Sequence, residues 1–175
     1  MKRIACLLAF ALLLTGLGGC APEDYDGLYV RILGITTGPE ADAGFDALPE
    51  AAQALYVAAI FDMEMQCGGL CTFFCNEGPA MAVRVSDSLR LLGLDPIADA
   101  YEAFAAENGL ELETLPQFDF DFFPGGDDYA EEYAALCETY PFDGFDGKYM
   151  ELREEMDFEG TMLGFAHAHP EAFKA

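Results

Sequence analysis

Between residues 46 and 93 apolar side chains recur at helical spacing and are cut by paired glycines, and this stretch constrains the fold more than any other. Leu55, Tyr56, Ala59, Ile60 and Met63 recur at three- and four-residue steps, the period of one helix face. Pro49 stands where a first helical residue would, since proline's missing N–H is not needed in the first turn. Gly68-Gly69 reads as the stop of that helix, and a short apolar segment covers residues 70–76. Gly78-Pro79 then restarts the chain into a second long helix ending near Gly93, with Met81, Val85, Leu89 and Leu92 as its stripe.

The same logic extends toward the C-terminus. Asp95-Pro96 opens a helix with Ile97, Ala100, Tyr101 and Phe104 on its inward face, and Asn108-Gly109 supplies the stop. Residues 118–123 alternate Phe and Asp ahead of Pro124-Gly-Gly and fit either a short strand or an ordered loop. Residues 127–140 read as a helix with acids in its first turn, where the positive end of the helix dipole favours them. Further helices are expected over 148–158 and 161–173, the last broken at Pro170. The fold class is therefore mostly α, a single compact multi-helix domain over residues 45–175.

Ahead of that domain stands an address. Residues 1–19 combine Lys2 and Arg3, an apolar run from Ile4 to Leu14 and small residues before Cys20, the build of a signal peptide. The run is far shorter than the roughly 20 residues a membrane-crossing helix needs. Leu17-Gly18-Gly19-Cys20 resembles the bacterial lipobox. That resemblance implies cleavage before Cys20, diacylation of Cys20, and a domain held on the extracytoplasmic side of the cell membrane by its lipid anchor alone. Residues 20–44 then form the lipidated Cys and a short spacer. Within them residues 28–35 are too apolar for a pure linker and suit packing on the domain as a strand or short helix.

The segment from Leu48-Pro49 to Gly93 also carries a family likeness. A helix passing Glu64 leads into Cys67-Gly-Gly-Leu-Cys-Thr-Phe-Phe-Cys-Asn76, and the next helix ends Ser88-Leu-Arg-Leu-Leu-Gly93. This resembles a bacterial family of small acidic helical domains named for a neisserial DNA-mimic protein. Gly68, Gly69, Phe73, Phe74, Asn76, Leu89 and Gly93 fit that family's pattern. Cys67 stands where the family usually has Asn, and Leu70 where it has an aromatic, so any role of that Asn is missing here. The residues themselves point to a fold-specifying motif. Paired glycines open backbone angles closed to other residues, Phe73 and Phe74 bury large rings, and Asn76 suits a cap for the helix beginning near Pro79. The resemblance further implies an acidic face that imitates DNA phosphates and occupies a transcription regulator's DNA site.

Charge gives the candidate mechanism. The chain has 8 Lys+Arg against 32 Asp+Glu, a formal net charge of −24, yet is 53% hydrophobic. That combination removes intrinsic disorder and direct nucleic-acid binding from the candidates. Losing residues 1–19 would delete two cations and no acid, leaving 6 − 32 = −26. Fifteen carboxylates and no cation fall between Arg90 and Lys148. From this run Asp119, Asp121, Asp127, Asp128, Glu131, Glu132 and Glu138 form the candidate partner-binding face, able to steer a basic protein or peptide in a salt-sensitive way.

Other chemistries have little footing. Cys67, Cys71 and Cys75 are spaced by four; a disulfide from Cys137 to one of them is one reading, small buried hydrophobes the other. Three thiols on consecutive helical turns suit a tetrahedral zinc site poorly, so no metal or cofactor is expected. His167 and His169 read as structural. Asp143-Gly-Phe-Asp146-Gly and Asp119-Phe-Asp121 faintly suggest calcium but lack the twelve-residue loop pattern. Serine occurs only at Ser86 and Ser88, with no nucleophile elbow, no phosphate loop and no Trp for sugar stacking, so the chain is expected not to be an enzyme. The expectation is a lipid-anchored, non-enzymatic acidic domain that engages a basic protein or peptide. The alternatives are a DNA mimic in a transcription regulator's DNA-binding site, and a structural or immunity-type envelope protein.

Overall fold

The computed structural model describes residues 24–37, 44–118 and 129–173. Among them the regular elements are seven α-helices and three short 3-10 turns, with no strand. The mostly α, single-domain expectation holds.

Asp24 opens α1 (Tyr25–Thr37): its carboxylate accepts from the Gly27 N–H at 2.8 Å and its carbonyl from the Leu28 N–H at 3.0 Å, an N-cap. Leu28 and Ile32, one turn apart, are fully buried as α1 packs on α2 and α7. Residues 20–44 are thus not spacer throughout, and the folded body begins before residue 45. One helical turn aligns two large aliphatic side chains on a single face, and their burial outweighs the weak helix propensity of Gly27 and Gly34.

α2 (Glu50–Ala82) is the central element. Ala52, Leu55, Val57, Ala58, Ala59 and Phe61 are all buried, so this stretch is covered on every side, as a core helix is. The expected stop at Gly68-Gly69 and the expected restart at Gly78-Pro79 fall at two breaks within α2, Gly69 at φ 76° and Gly78 at φ 66°, and the apolar segment between them is itself helical. The expected continuous helix from Gly78-Pro79 to Gly93 is interrupted instead at Val83-Arg84, and α3 is only Val85–Leu91. The fully buried Tyr101 hydroxyl donates to the Ala82 carbonyl at 3.0 Å, so the rod can end there without leaving that carbonyl orphaned in the core.

α4 (Asp95–Glu107) follows through Gly93, at φ 79°. Gly93 N–H bonds to Arg90 O at 2.9 Å and Leu94 N–H to Leu89 O at 2.8 Å, a Schellman closure; Gly109 and Leu110 repeat it on Ala106 and Ala105. The Asn108-Gly109 stop is therefore as expected.

Only Phe118 of the 118–123 segment is described, closing the 3-10 turn Pro116–Phe118; residues 119–128 lie outside the described residues. α5 is Tyr129–Thr139. The helix expected over 148–158 begins earlier, as α6 (Phe142–Glu155), because Phe142, Phe145, Tyr149 and Leu152 form one buried stripe that outweighs Gly144 and Gly147. Asp157, left-handed at φ 46°, turns the chain, so Phe158 starts α7 (Phe158–Ala168) rather than ending its predecessor. Pro170 ends the helical run and opens the 3-10 turn Pro170–Phe173.

Aromatic rings fill the interior. Phe61 meets Phe73, Tyr101 and Tyr149 edge-on at centroid distances of 5.1, 5.6 and 5.4 Å, the geometry ring quadrupoles favour. No described helix is long and apolar enough to cross a membrane.

Candidate functional site

The most concentrated polar chemistry is buried. Asp62, 1% exposed, accepts hydrogen bonds from Tyr149 Oη at 2.6 Å, Tyr25 Oη at 2.9 Å and Gln66 Nε2 at 2.8 Å. Arg153 adds a fork, Nε to Oδ1 at 2.6 Å and a terminal nitrogen to Oδ2 at 3.2 Å, and also reaches Glu159 at 2.7 Å. α1, α2 and α6 meet at this one carboxylate, and α7 joins through the Arg153–Glu159 pair. Its bonds hold Arg153 firmly protonated, while burial followed by the Asp62 charge pushes the Tyr25 and Tyr149 hydroxyls well above the ordinary tyrosine range. No buried side-chain polar atom lacks a partner among the described residues, and the bonds of this centre tie the helices together. Sequence reasoning missed it. The available signal was a lone Asp in the apolar run Ala58-Ala-Ile-Phe-Asp62.

The glycine motif explains itself at Gly69. The positive φ favours glycine, and a Cβ there would collide with the Asp146 carboxylate. That carboxylate accepts from the Leu70 N–H at 3.0 Å and so caps the restarted segment of α2. Thus Asp146, weighed above as a faint calcium ligand, has an internal task. A Cβ on Gly68 would strike Thr72. Phe73 and Phe74 are fully buried, and Asn76 donates to Glu64 Oε2 at 2.7 Å, joining the segments on either side of the kink. Gly93 makes the turn into α4.

Of the candidate acidic face, Glu131, Glu132 and Glu138 are exposed on α5, whereas Asp119, Asp121, Asp127 and Asp128 lie outside the described residues. The cations among the described residues are engaged internally. Arg84 pairs with Asp46 at 2.7 Å, and Lys148 with Glu151 at 3.5 Å. Arg90 reaches Asp99 and Glu102 at 2.7 Å each and Asp95 at 3.8 Å, Arg153 serves Asp62, and the Arg31 guanidinium lies 4.9 Å from the Phe173 ring centre. The acidic run is therefore not uniformly uncompensated: Arg90, at its edge, neutralises part of the α4 end. Among the described residues no ion pair reaches Glu131, Glu132 or Glu138.

The kink at Gly69 takes Cys67 off the face shared by Cys71 and Cys75. Cys67 is exposed, Cys71 buried, and the four described cysteines are free thiols. Among the described residues no group of three or more His, Cys, Asp or Glu side chains is arranged to hold a metal ion. His169 bonds Glu171 at 2.9 Å and stacks on Phe165, with centroids 4.2 Å apart; His167 is exposed.

No curated protein and no solved structure matches the chain. A family model described as DMP19-like protein matches residues 46–169, from the 3-10 turn Phe45–Ala47 through the end of α7, leaving α1 outside the match. With the glycine-kinked α2, the Gly93 turn and the acidic helices all inside that span, the chain belongs to the DMP19-like protein family.

Proposed function

We propose that this protein is a non-enzymatic acidic binding domain whose α5 carboxylates engage the cationic surface of a basic protein or peptide, and that Cys20 carries a lipid anchor holding it outside the cell membrane. One observation carries the binding role: the described cations are taken up by internal partners, while Glu131, Glu132 and Glu138 stand exposed with no ion pair among the described residues. Charge left over in this way attracts an external cation over about 8–10 Å at physiological salt. The anchor rests on the residues before Cys20, which lie outside the described structure.

Membership of a family named for a DNA mimic favours a second reading, in which the same face occupies the DNA site of a transcription regulator. Both readings need a salt-sensitive acidic surface; they differ in compartment. Intact mass and membrane fractionation of the full chain from its own host, beside Cys20→Ser, separate them. A diacylated, membrane-bound product starting at Cys20, lost in the variant, supports the anchored domain. An unprocessed soluble cytoplasmic chain overturns the anchor and leaves DNA mimicry as the reading.

A further inference from the structure

α1 lies in a groove walled by α2 and α7 and closed at one end by the 3-10 turn Pro170–Phe173. Its anchors are Tyr25, Leu28, Tyr29 and Ile32, the i, i+3, i+4, i+7 pattern by which an amphipathic helix fills a groove. Leu28 and Ile32 are fully buried, the Tyr25 ring meets the Phe158 ring edge-on with centroids 6.4 Å apart, and the Tyr29 hydroxyl donates to Met63 Sδ. At the floor of the groove the Tyr25 hydroxyl donates to Asp62 Oδ2 at 2.9 Å. That carboxylate does not depend on Tyr25: Oδ2 also accepts from Gln66 and Arg153, and Oδ1 from Tyr149 and Arg153. Opening the groove therefore strands no buried charge. The span matched by the family model holds α2 and α7, both walls of the groove, and not α1.

α1 has little helix of its own. A helix of 13 residues is marginal when isolated, and Gly27, Gly34 and the β-branched Val30, Ile32, Ile35, Thr36 and Thr37 weaken it further. Its helical form is made by its seat. We propose that the groove between α2 and α7 is a binding site for an amphipathic helix bearing a phenol and aliphatic side chains at this spacing, and that α1 is its occupant in cis, a strap that folds as it docks and leaves without unfolding the other helices. Burial of the aliphatic pair supplies the affinity, and the phenol-to-carboxylate bond fixes the register. A helix from another chain competes with α1 for the seat, so its apparent affinity is reduced by the fraction of time that α1 occupies it. This site is separate from the acidic face of α5 and requires no anchor.

The test uses a fluorescent synthetic peptide of residues 24–37 and the full chain, as wild type and as Leu28→Asp/Ile32→Asp, which weakens the strap. The peptide is expected to bind the double variant about tenfold or more tightly than the wild type, whose groove is filled. A peptide carrying Tyr25→Phe should bind the variant about three- to tenfold more weakly, and one carrying Leu28→Asp should not bind measurably. In the wild type, amides of residues 29–36 should exchange about a hundredfold or more faster than those of residues 52–61 in α2, because α1 opens locally. Equal peptide binding to both proteins, none to either, or binding that survives Leu28→Asp in the peptide overturns the proposal. So does α1 exchange as slow as that of α2, or a double variant that loses its helical circular dichroism, since either shows α1 leaving only with the core.

Discussion

A side chain at position 69 would meet two obstacles, a left-handed backbone at φ 76° and the Asp146 carboxylate; at Gly93 it would meet only the first, φ 79° with open space around it. Gly93→Ala should therefore cost about 1 kcal/mol and Gly69→Ala about 2–3 kcal/mol in denaturant unfolding. Equal costs would mean that Asp146 swings aside freely. Asp62→Asn leaves Arg153 facing a neutral partner in a mostly buried site and should cost about 3–5 kcal/mol. A loss below about 1 kcal/mol would mean that water already reaches the pair. Burial, and less strongly Asp143, raise the carboxyl of half-buried Asp146 above the ordinary aspartate range, against the pull of the Leu70 N–H. As pH falls the folded form takes up this proton before the unfolded form does. The group's unfavourable contribution is complete above its folded pKa and fades as pH falls from there toward its ordinary value. Asp146→Asn, which keeps a carbonyl for the Leu70 N–H, should remove that part of the stability–pH profile; an unaltered profile would contradict the assignment. The glycines and paired phenylalanines of the motif were legible because their backbone and packing demands are local. The Asp62 centre was not, because Tyr149 and Arg153 lie 87 and 91 positions away and an Asp in an apolar run looks the same whether it faces water or the core.

Helix existence was more legible than helix extent. α4 was read at both ends because Asp95-Pro96 and Asn108-Gly109 are local signals. α6 was read too short because Gly144 and Gly147 lower helix propensity, while the gain that overrides them comes from Phe142 and Phe145 packing on distant rings. α1 was half-hidden for the same reason: Gly27 and Gly34 resemble linker, and the burial of Leu28 and Ile32 depends on α2 and α7. α5 is held most sparsely. Leu136 is the one buried residue among its described side chains, supported by the Tyr133 to Thr72 bond. Leu136→Ala should therefore free α5 locally, with exchange over residues 131–139 rising at least tenfold while that of α2 and α4 stays near wild type. A uniform rise across all helices would show instead that α5 unfolds only with the core.

At the scale of the whole molecule, an apolar interior lies beneath a surface whose net charge of −24 leaves carboxylates unpaired, and α5 gathers three of them on one exposed helix. The sequence alone could show the excess of acid but not its distribution. Arg90 draws Asp95, Asp99 and Glu102 together, and Asp146 turns inward to Leu70. The claim most in need of a test is therefore that α5 is a face and not merely part of a uniform charge. Binding of a fluorescent arginine-rich peptide should be measured at low and physiological salt for the wild type and two variants of equal charge: Glu131→Gln/Glu132→Gln/Glu138→Gln, and Glu107→Gln/Glu111→Gln/Glu113→Gln at the exposed end of α4 and the turn after it. The expected result is salt-sensitive binding weakened about tenfold, near 1.4 kcal/mol, by the α5 set and only slightly by the other. Equal weakening by both sets, or binding indifferent to salt, would contradict a directed acidic face.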